Sequence, residues 1–181
     1  SHARYGIDMN ISVIGCGYLG AVHAASMAEL GHDVIGVDTD AAKISELAGG
    51  RAPFFEPGLP ELLERTLATG RLTFTTEMAQ AGRADVHFLC VGTPQLVGEY
   101  AADLSYVESA FAALLEIVKP GDLIVGKSTV PVGTAERLAE DLDAKEPSAT
   151  LVWNPEFLRE GFAVEDTLHP DRLVYGVESG P

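Results

Sequence analysis

The chain is short of cysteine, of basic residues and of long apolar runs, and each shortage narrows what it can be. Cys16 and Cys90 are the 2 cysteines among 181 residues. They show no framework spacing, which argues against a disulfide-stapled secreted fold and for a reducing, cytoplasmic setting. Lys and Arg number 12 against 27 Asp and Glu, a formal net charge of −15. So acidic a chain carries no electrostatic footprint for nucleic acid or an anionic membrane. A phosphorylated ligand would have to be held by local backbone donors and a few placed cations, against the overall field. No apolar run approaches the roughly 18 residues of a membrane span, and no signal-peptide pattern is visible. No residue grouping points to a metal. Ser1 to Asp8 lack periodicity and read as a remnant of cloning ahead of a native start at Met9.

What is present is an ordinary globular composition, 46% apolar and 22% charged, of a size for one domain. Short apolar runs alternate with helical patterns, the signature of an α/β fold with a parallel sheet. Strands are expected at Asn10–Ile14, Asp33–Asp38, Leu72–Thr75, Val86–Val91, Leu123–Gly126, Thr150–Trp153 and Arg172–Val177. Helices are expected at Tyr18–Leu30, Asp40–Leu47, Leu59–Ala68, Leu104–Val118 and Gly133–Leu142. Together they predict a Rossmann-type, doubly wound, mostly parallel sheet with helices on both faces.

Gly15-Cys-Gly-Tyr-Leu-Gly20 fits G-x-G-x-x-G and lies between a strand and a helix, the context the motif requires. Gly15 permits the tight turn, Gly17 lets backbone approach a pyrophosphate, and Gly20 lets the helix pack on the sheet. The helix N-terminus offers unpaired N–H groups and positive potential. The second strand ends in Asp38, about 20 residues on, where a carboxylate accepts from ribose hydroxyls and repels a 2′-phosphate. The expected cofactor is therefore NAD rather than NADP. Lys43, one turn further, either reaches a phosphate or the adenine edge or is simply solvated. Cys16 and Cys90 read as small buried hydrophobes, since neither has a cation or base beside it in sequence.

Three further clusters stand at strand ends, which line the ligand crevice in open α/β sheets. Val91-Gly92-Thr93-Pro94 offers backbone access and a hydroxyl, or is a plain turn. Lys127-Ser-Thr129-Val-Pro131 places three polar side chains in succession, costly to bury without partners. In Asn154-Pro-Glu-Phe-Leu-Arg-Glu-Gly161, Glu156 and Glu160 would share a face if helical. Near NAD, two carboxylates suggest acid/base work or binding of a sugar; a salt-bridged surface turn is the alternative.

These stretches, with Glu56-Pro-Gly-Leu59 and Pro170-Asp-Arg172, closely resemble the UDP-glucose/GDP-mannose dehydrogenase family and run in its order from Met9 to the C-terminus. The Lys127–Pro131 form, Gly161 and Pro170-Asp-Arg172 look most like the NAD-binding domain of its UDP-glucose 6-dehydrogenase branch; the GDP-mannose branch is the near alternative. The resemblance implies oxidation of a nucleotide sugar such as UDP-glucose at C6, twice, with two NAD and a water. It implies that Gly15, Gly17, Tyr18, Leu19, Gly20, Asp38, Lys43, Val91, Gly92, Thr93, Pro94, Thr129 and Glu160 contact NAD. It implies that Glu156, Phe157, Leu158, Arg159 and Glu160 wall the sugar-nucleotide site. Glu156 would manage water or protons, supported by Thr129. In the family the nucleophilic cysteine, a central dimer-forming helix and a UDP-binding domain lie in a second half. By that comparison residues 9–181 would be an NAD-binding domain, inactive alone, of an enzyme that is homodimeric at full length. A non-catalytic NAD-binding module is the remaining reading.

Overall fold

The computed structural model describes residues 8–99, 101–154, 164, 168 and 176–177. Strands β1 (Asn10–Ile14), β2 (Asp33–Val37), β3 (Leu72–Thr75), β4 (Val86–Leu89), β5 (Leu123–Gly126), β6 (Thr150–Trp153) and β7 (Gly176–Val177) form one sheet. Its order is β3-β2-β1-β4-β5-β6-β7. The six strands from β3 to β6 pair in parallel, and β7 closes the edge antiparallel to β6, with Val152 opposite Val177. The order reverses at β1, whose neighbours are β2 on one side and β4 on the other. That reversal is the switch point at which doubly wound sheets open a crevice.

Helices α1 (Tyr18–Glu29), α2 (Ala41–Ala48) and α3 (Leu59–Ala68) cover one face; α4 (Ser105–Leu115) and α5 (Thr134–Lys145) cover the other. The period-two alternation of β1 makes both layers. Ile11 and Val13 join Val34 and Leu72 beneath α1 and α3, while Ile14 joins Ile35, Leu89 and Ile124 beneath α4 and α5. Helix α1 is buried almost all round by its alanines, whose small side chains let its axis approach the sheet closely. Helix α2 is capped by Asp40, whose side chain accepts from the Lys43 N–H at 3.1 Å, the usual device for an orphan first-turn donor. Helix α3 has Gly58 at its N-cap and carries Pro60 in its first turn, where no backbone donor is needed.

A polar chain runs through the apolar layers. The Ser12 hydroxyl lies 2.7 Å from Nδ1 of His87, and Nε2 of His87 lies 2.9 Å from Asp122. Asp122 also accepts from the Lys119 N–H at 2.9 Å. All of Ser12, His87 and Asp122 are buried, so this Ser-His-Asp row ties β1, β4 and the start of β5 together and presents no nucleophile. Burial holds the His87 pKa below its usual value, against the pull of Asp122. A neutral ring, donating to Asp122 and accepting from Ser12, satisfies every partner.

The expected elements are found, with shifts at the ends. Strand β4 stops at Leu89 rather than Val91, and beyond it the backbone carbonyl of Val91 accepts from the Ser128 hydroxyl. The helix expected over Leu104–Val118 is confined to Ser105–Leu115, and α5 runs on to Lys145. A 3-10 helix at Met78–Arg83 carries no sequence signal, being short and without a capping side chain. Of Arg172–Val177 only Gly176–Val177 falls among the described residues.

Candidate functional site

The ends of β1, β2, β4 and β5 open into a cleft of about 930 Å³. The tight turn after β1 forms its floor. Gly15 has φ +92°, and a Cβ there would lie 2.9 Å from the backbone of Cys90 and Val91. Only glycine meets both demands. A Cβ at Gly20 would lie 1.7 Å from the Gly15 carbonyl oxygen. Gly20 is buried and is not among the residues that line the cleft; its closeness to Gly15 seats α1 against the turn. A Cβ at Gly17 would meet nothing within 4 Å, and Gly17, Tyr18 and Leu19 line the cleft. Here the α1 N-terminus, which has no side-chain cap, leaves first-turn N–H groups for a ligand.

Asp38 follows β2 at the cleft edge with its side chain 12% exposed. One carboxylate oxygen accepts from the Cys16 N–H at 2.8 Å and the other from the Asp40 N–H at 2.9 Å. Lys43 comes within 3.3 Å of the first. The carboxylate is thus fixed by the glycine turn itself, with lone pairs left to accept from hydroxyls. Lys43 is neither a free cation nor merely solvated: it is paired with Asp38 on the cleft wall.

The opposite wall comes from the ends of β4 and β5. Val91, Gly92, Thr93, Pro94 and Thr129 all line it. The Thr93 hydroxyl donates to the Thr129 carbonyl at 2.9 Å and the Ser128 hydroxyl to that of Val91. The two loops are therefore stitched to each other, which explains two of the polar side chains there structurally. The Trp153 indole packs on Gly126, where a Cβ would lie 2.2 Å from the ring, and its N–H donates to the Ser128 carbonyl at 2.9 Å. Lys127 is buried with its ammonium 5.9 Å from the centre of the Phe88 ring.

The cysteines are core residues, as expected. Burial first, then the Asp38 charge, pushes the Cys16 thiol well above its usual pKa, so it stays protonated. Cys90 reaches the cleft wall but is itself buried. Among the described residues no cluster of His, Cys, Asp and Glu could hold a metal, and no helix is long and apolar enough to cross a membrane. Glu156, Phe157, Leu158, Arg159 and Glu160 lie outside the described residues.

Sequence reasoning missed two features. Met78 and the α4 residues Tyr106, Ala110 and Ala113 add a third, mostly apolar wall, supplied by elements distant in sequence from any motif. Glu56, read only as part of a family stretch, is buried and accepts from the Tyr18 hydroxyl. An acid lodged between Phe55 and Pro57 was the available hint.

A dinucleotide fits this arrangement: open space at Gly17, a helix N-terminus without a side-chain cap, an anchored carboxylate beside it and a long three-walled cleft. Comparison with known proteins agrees. The family model described as "UDP-glucose/GDP-mannose dehydrogenase family, NAD binding domain" matches residues 9–181. A UDP-glucose 6-dehydrogenase of Rhizobium meliloti (strain 1021) is 47% identical over 173 residues, covering 94% of this chain and 40% of the relative. UDP-glucose 6-dehydrogenase YwqF of Bacillus subtilis (strain 168) is 45% identical over 177 residues, 93% of this chain and 39% of the relative. The chain thus spans about 40% of the length of these curated relatives. Among solved structures, a UDP-glucose dehydrogenase from Pyrobaculum islandicum superposes with TM-score 0.88 at 42% identity, covering 97% of this chain and 42% of that one. A GDP-mannose dehydrogenase from Pseudomonas aeruginosa, solved as a ternary complex, gives 0.86 at 38% identity, covering 93% and 41%. The cleft on the switch point and these matches lead to one conclusion: the chain belongs to the UDP-glucose/GDP-mannose dehydrogenase family, as its NAD-binding domain.

Proposed function

We propose that this domain serves a UDP-glucose 6-dehydrogenase, holding the NAD against which the C6 alcohol of UDP-glucose is oxidised to the carboxylate. The observation that carries the cofactor half is Asp38, locked by the Cys16 N–H at 2.8 Å beside the glycine turn. Its carboxylate is positioned to accept from the ribose hydroxyls and to repel a 2′-phosphate. Gly15 and Gly17 bring the turn close to the pyrophosphate, and the N–H groups at Tyr18 and Leu19 face it. Lys43 supplies a cation beside the ribose. Val91, Gly92, Thr93, Pro94 and Thr129 border the nicotinamide end, where Glu160 would join them. When bound, NAD supplies the hydride acceptor; this chain's residues orient it and exclude water. Glu156 would hold or move a proton for the sugar, supported by Thr129, with Phe157, Leu158 and Arg159 beside it on the nucleotide-sugar wall.

The choice of UDP-glucose is supported by two curated relatives, at 47% and 45% identity, that carry that name. The GDP-mannose dehydrogenase match at 38% identity supports the second reading, another nucleotide sugar on the same domain. Full oxidation to the acid calls for a nucleophile freely exposed in the cleft; Cys16 is fully buried, and Cys90, though it borders the cleft, is 5% exposed. We therefore expect residues 9–181 alone to bind NAD without turning over a nucleotide sugar; a homodimeric full-length protein is a separate expectation, carried by the family resemblance alone. Calorimetric titration tests the cofactor assignment: NAD should bind more tightly than NADP, and Asp38→Asn should weaken NAD by about tenfold while narrowing the gap to NADP. Tighter binding of NADP by the unsubstituted chain would reverse the assignment. NADH formation with UDP-glucose but not GDP-mannose, by the full-length protein, checks the substrate.

A further inference from the structure

Glu56 is 2% exposed, although it stands in a turn rather than in the sheet. A carboxyl so withdrawn from water needs donors, and it has them from two distant parts of the chain. It accepts from the Tyr18 hydroxyl and, at 3.2 Å, from the Val164 N–H. Tyr18 is the first residue of α1 and directly follows Gly17. Its ring is held edge-on against Phe54, with centroids 5.3 Å apart, so the hydroxyl has little freedom to turn elsewhere. The turn holding Glu56 is rigid in its own right: the Leu59 N–H donates to the Glu56 carbonyl at 3.2 Å, and Leu59, Leu62 and Leu63 root α3 in the core. Val164 belongs to the chain that follows β6, and it too packs on that core.

Glu56 does not line the cleft, so it acts on a ligand only through others. We infer that Glu56 is a positioning residue for dinucleotide binding, whose one carboxyl sets the first turn of α1, through Tyr18, against the chain after β6, through Val164. Occupation of the cleft and order at Val164 are then coupled. The first-turn N–H groups of α1 point where its axis points, and a tilt at Tyr18 misdirects all of them. The inference rests on the NAD reading above.

Titration calorimetry with NAD and amide hydrogen exchange at Val164, on the whole chain, test it. Glu56→Ala should weaken NAD about tenfold and abolish the extra protection that NAD gives the Val164 amide. Glu56→Gln should restore both to within about threefold, because its amide accepts from Val164 and donates to the Tyr18 oxygen. Glu56→Ala combined with Tyr18→Phe should bind no more weakly than the poorer single variant, since both remove the same contact. Additive losses, or a folded Glu56→Ala that binds NAD like the parent, overturn the inference. Where Glu56→Ala does not fold, Tyr18→Phe decides, because it deletes the hydroxyl and keeps the ring; unchanged affinity and unchanged Val164 protection overturn it. A parent chain that binds no NAD overturns the cofactor reading and this coupling together. NAD binding indifferent to every Glu56 change overturns the coupling alone.

Discussion

A methyl group added at Gly20 would sit 1.7 Å from the Gly15 carbonyl oxygen, whereas one added at Gly17 meets nothing within 4 Å. The two glycines of one motif therefore answer the same substitution in opposite ways. Gly20→Ala should cost about 3 kcal/mol or more of stability, since helix and turn must part to admit it. Gly17→Ala should change stability by less than about 1 kcal/mol, because its φ of −70° suits any residue. It should instead weaken NAD binding, by putting a carbon where the pyrophosphate would approach. Urea unfolding and calorimetry on the two variants check the contrast; equal losses of stability would refute it. This division of labour was legible in advance, because each glycine's place in the turn follows from the motif. How closely Gly20 meets the Gly15 carbonyl was not, since that distance depends on how the turn seats the helix.

At the scale of elements, the strands are held in register by more than their ladders. Asp122, just ahead of β5, receives both the His87 ring and the Lys119 N–H, while Ser12 meets the other ring nitrogen. Asp122→Ala leaves the buried His87 ring without its acceptor and removes the partner of the Lys119 N–H, which should cost about 2 kcal/mol. Its thermal midpoint should drop by several degrees with the NAD affinity of the remaining folded protein intact, as the row lies away from the cleft. The sequence could not reveal this row. Ser12 and His87 are 75 residues apart and His87 and Asp122 are 35 apart, and only the strand order places β1, β4 and β5 side by side. Hydrophobic alternation, by contrast, fixes which face each strand residue takes, so the strands and the long helices were readable from pattern. The 3-10 helix, short and uncapped, was not.

Over the whole molecule, two histidines are kept neutral inside an acidic protein. Burial, and then the nearby Lys127, lowers the His23 pKa from 6.5 to about 3, and burial lowers that of His87 as well. The unfolded chain binds these protons below about pH 6.5 and the folded chain refuses them. For His23 this stability is complete above that pH and is lost as the pH falls toward 3, by up to about 1.4 kcal/mol per pH unit; His87 adds to the loss in the same direction. Between pH 6.5 and 5 the His23 share is about 2 kcal/mol. Among the described residues the His23 Nε2 atom has no hydrogen-bond partner, so His23→Leu should be tolerated at neutral pH. Urea titrations at several pH values should give that variant the shallower slope across this window; parallel slopes would show that His23 takes up its proton without unfolding.

Trp153 is the 1 tryptophan of the chain, and its indole leans on Gly126 while donating to the Ser128 carbonyl, one layer behind the cleft wall. That placement makes the protein its own optical probe. Emission from this indole belongs to one known position, and the reduced nicotinamide absorbs in the range where indole emits. Energy transfer from Trp153 therefore distinguishes reduced from oxidised cofactor in the cleft without any added label.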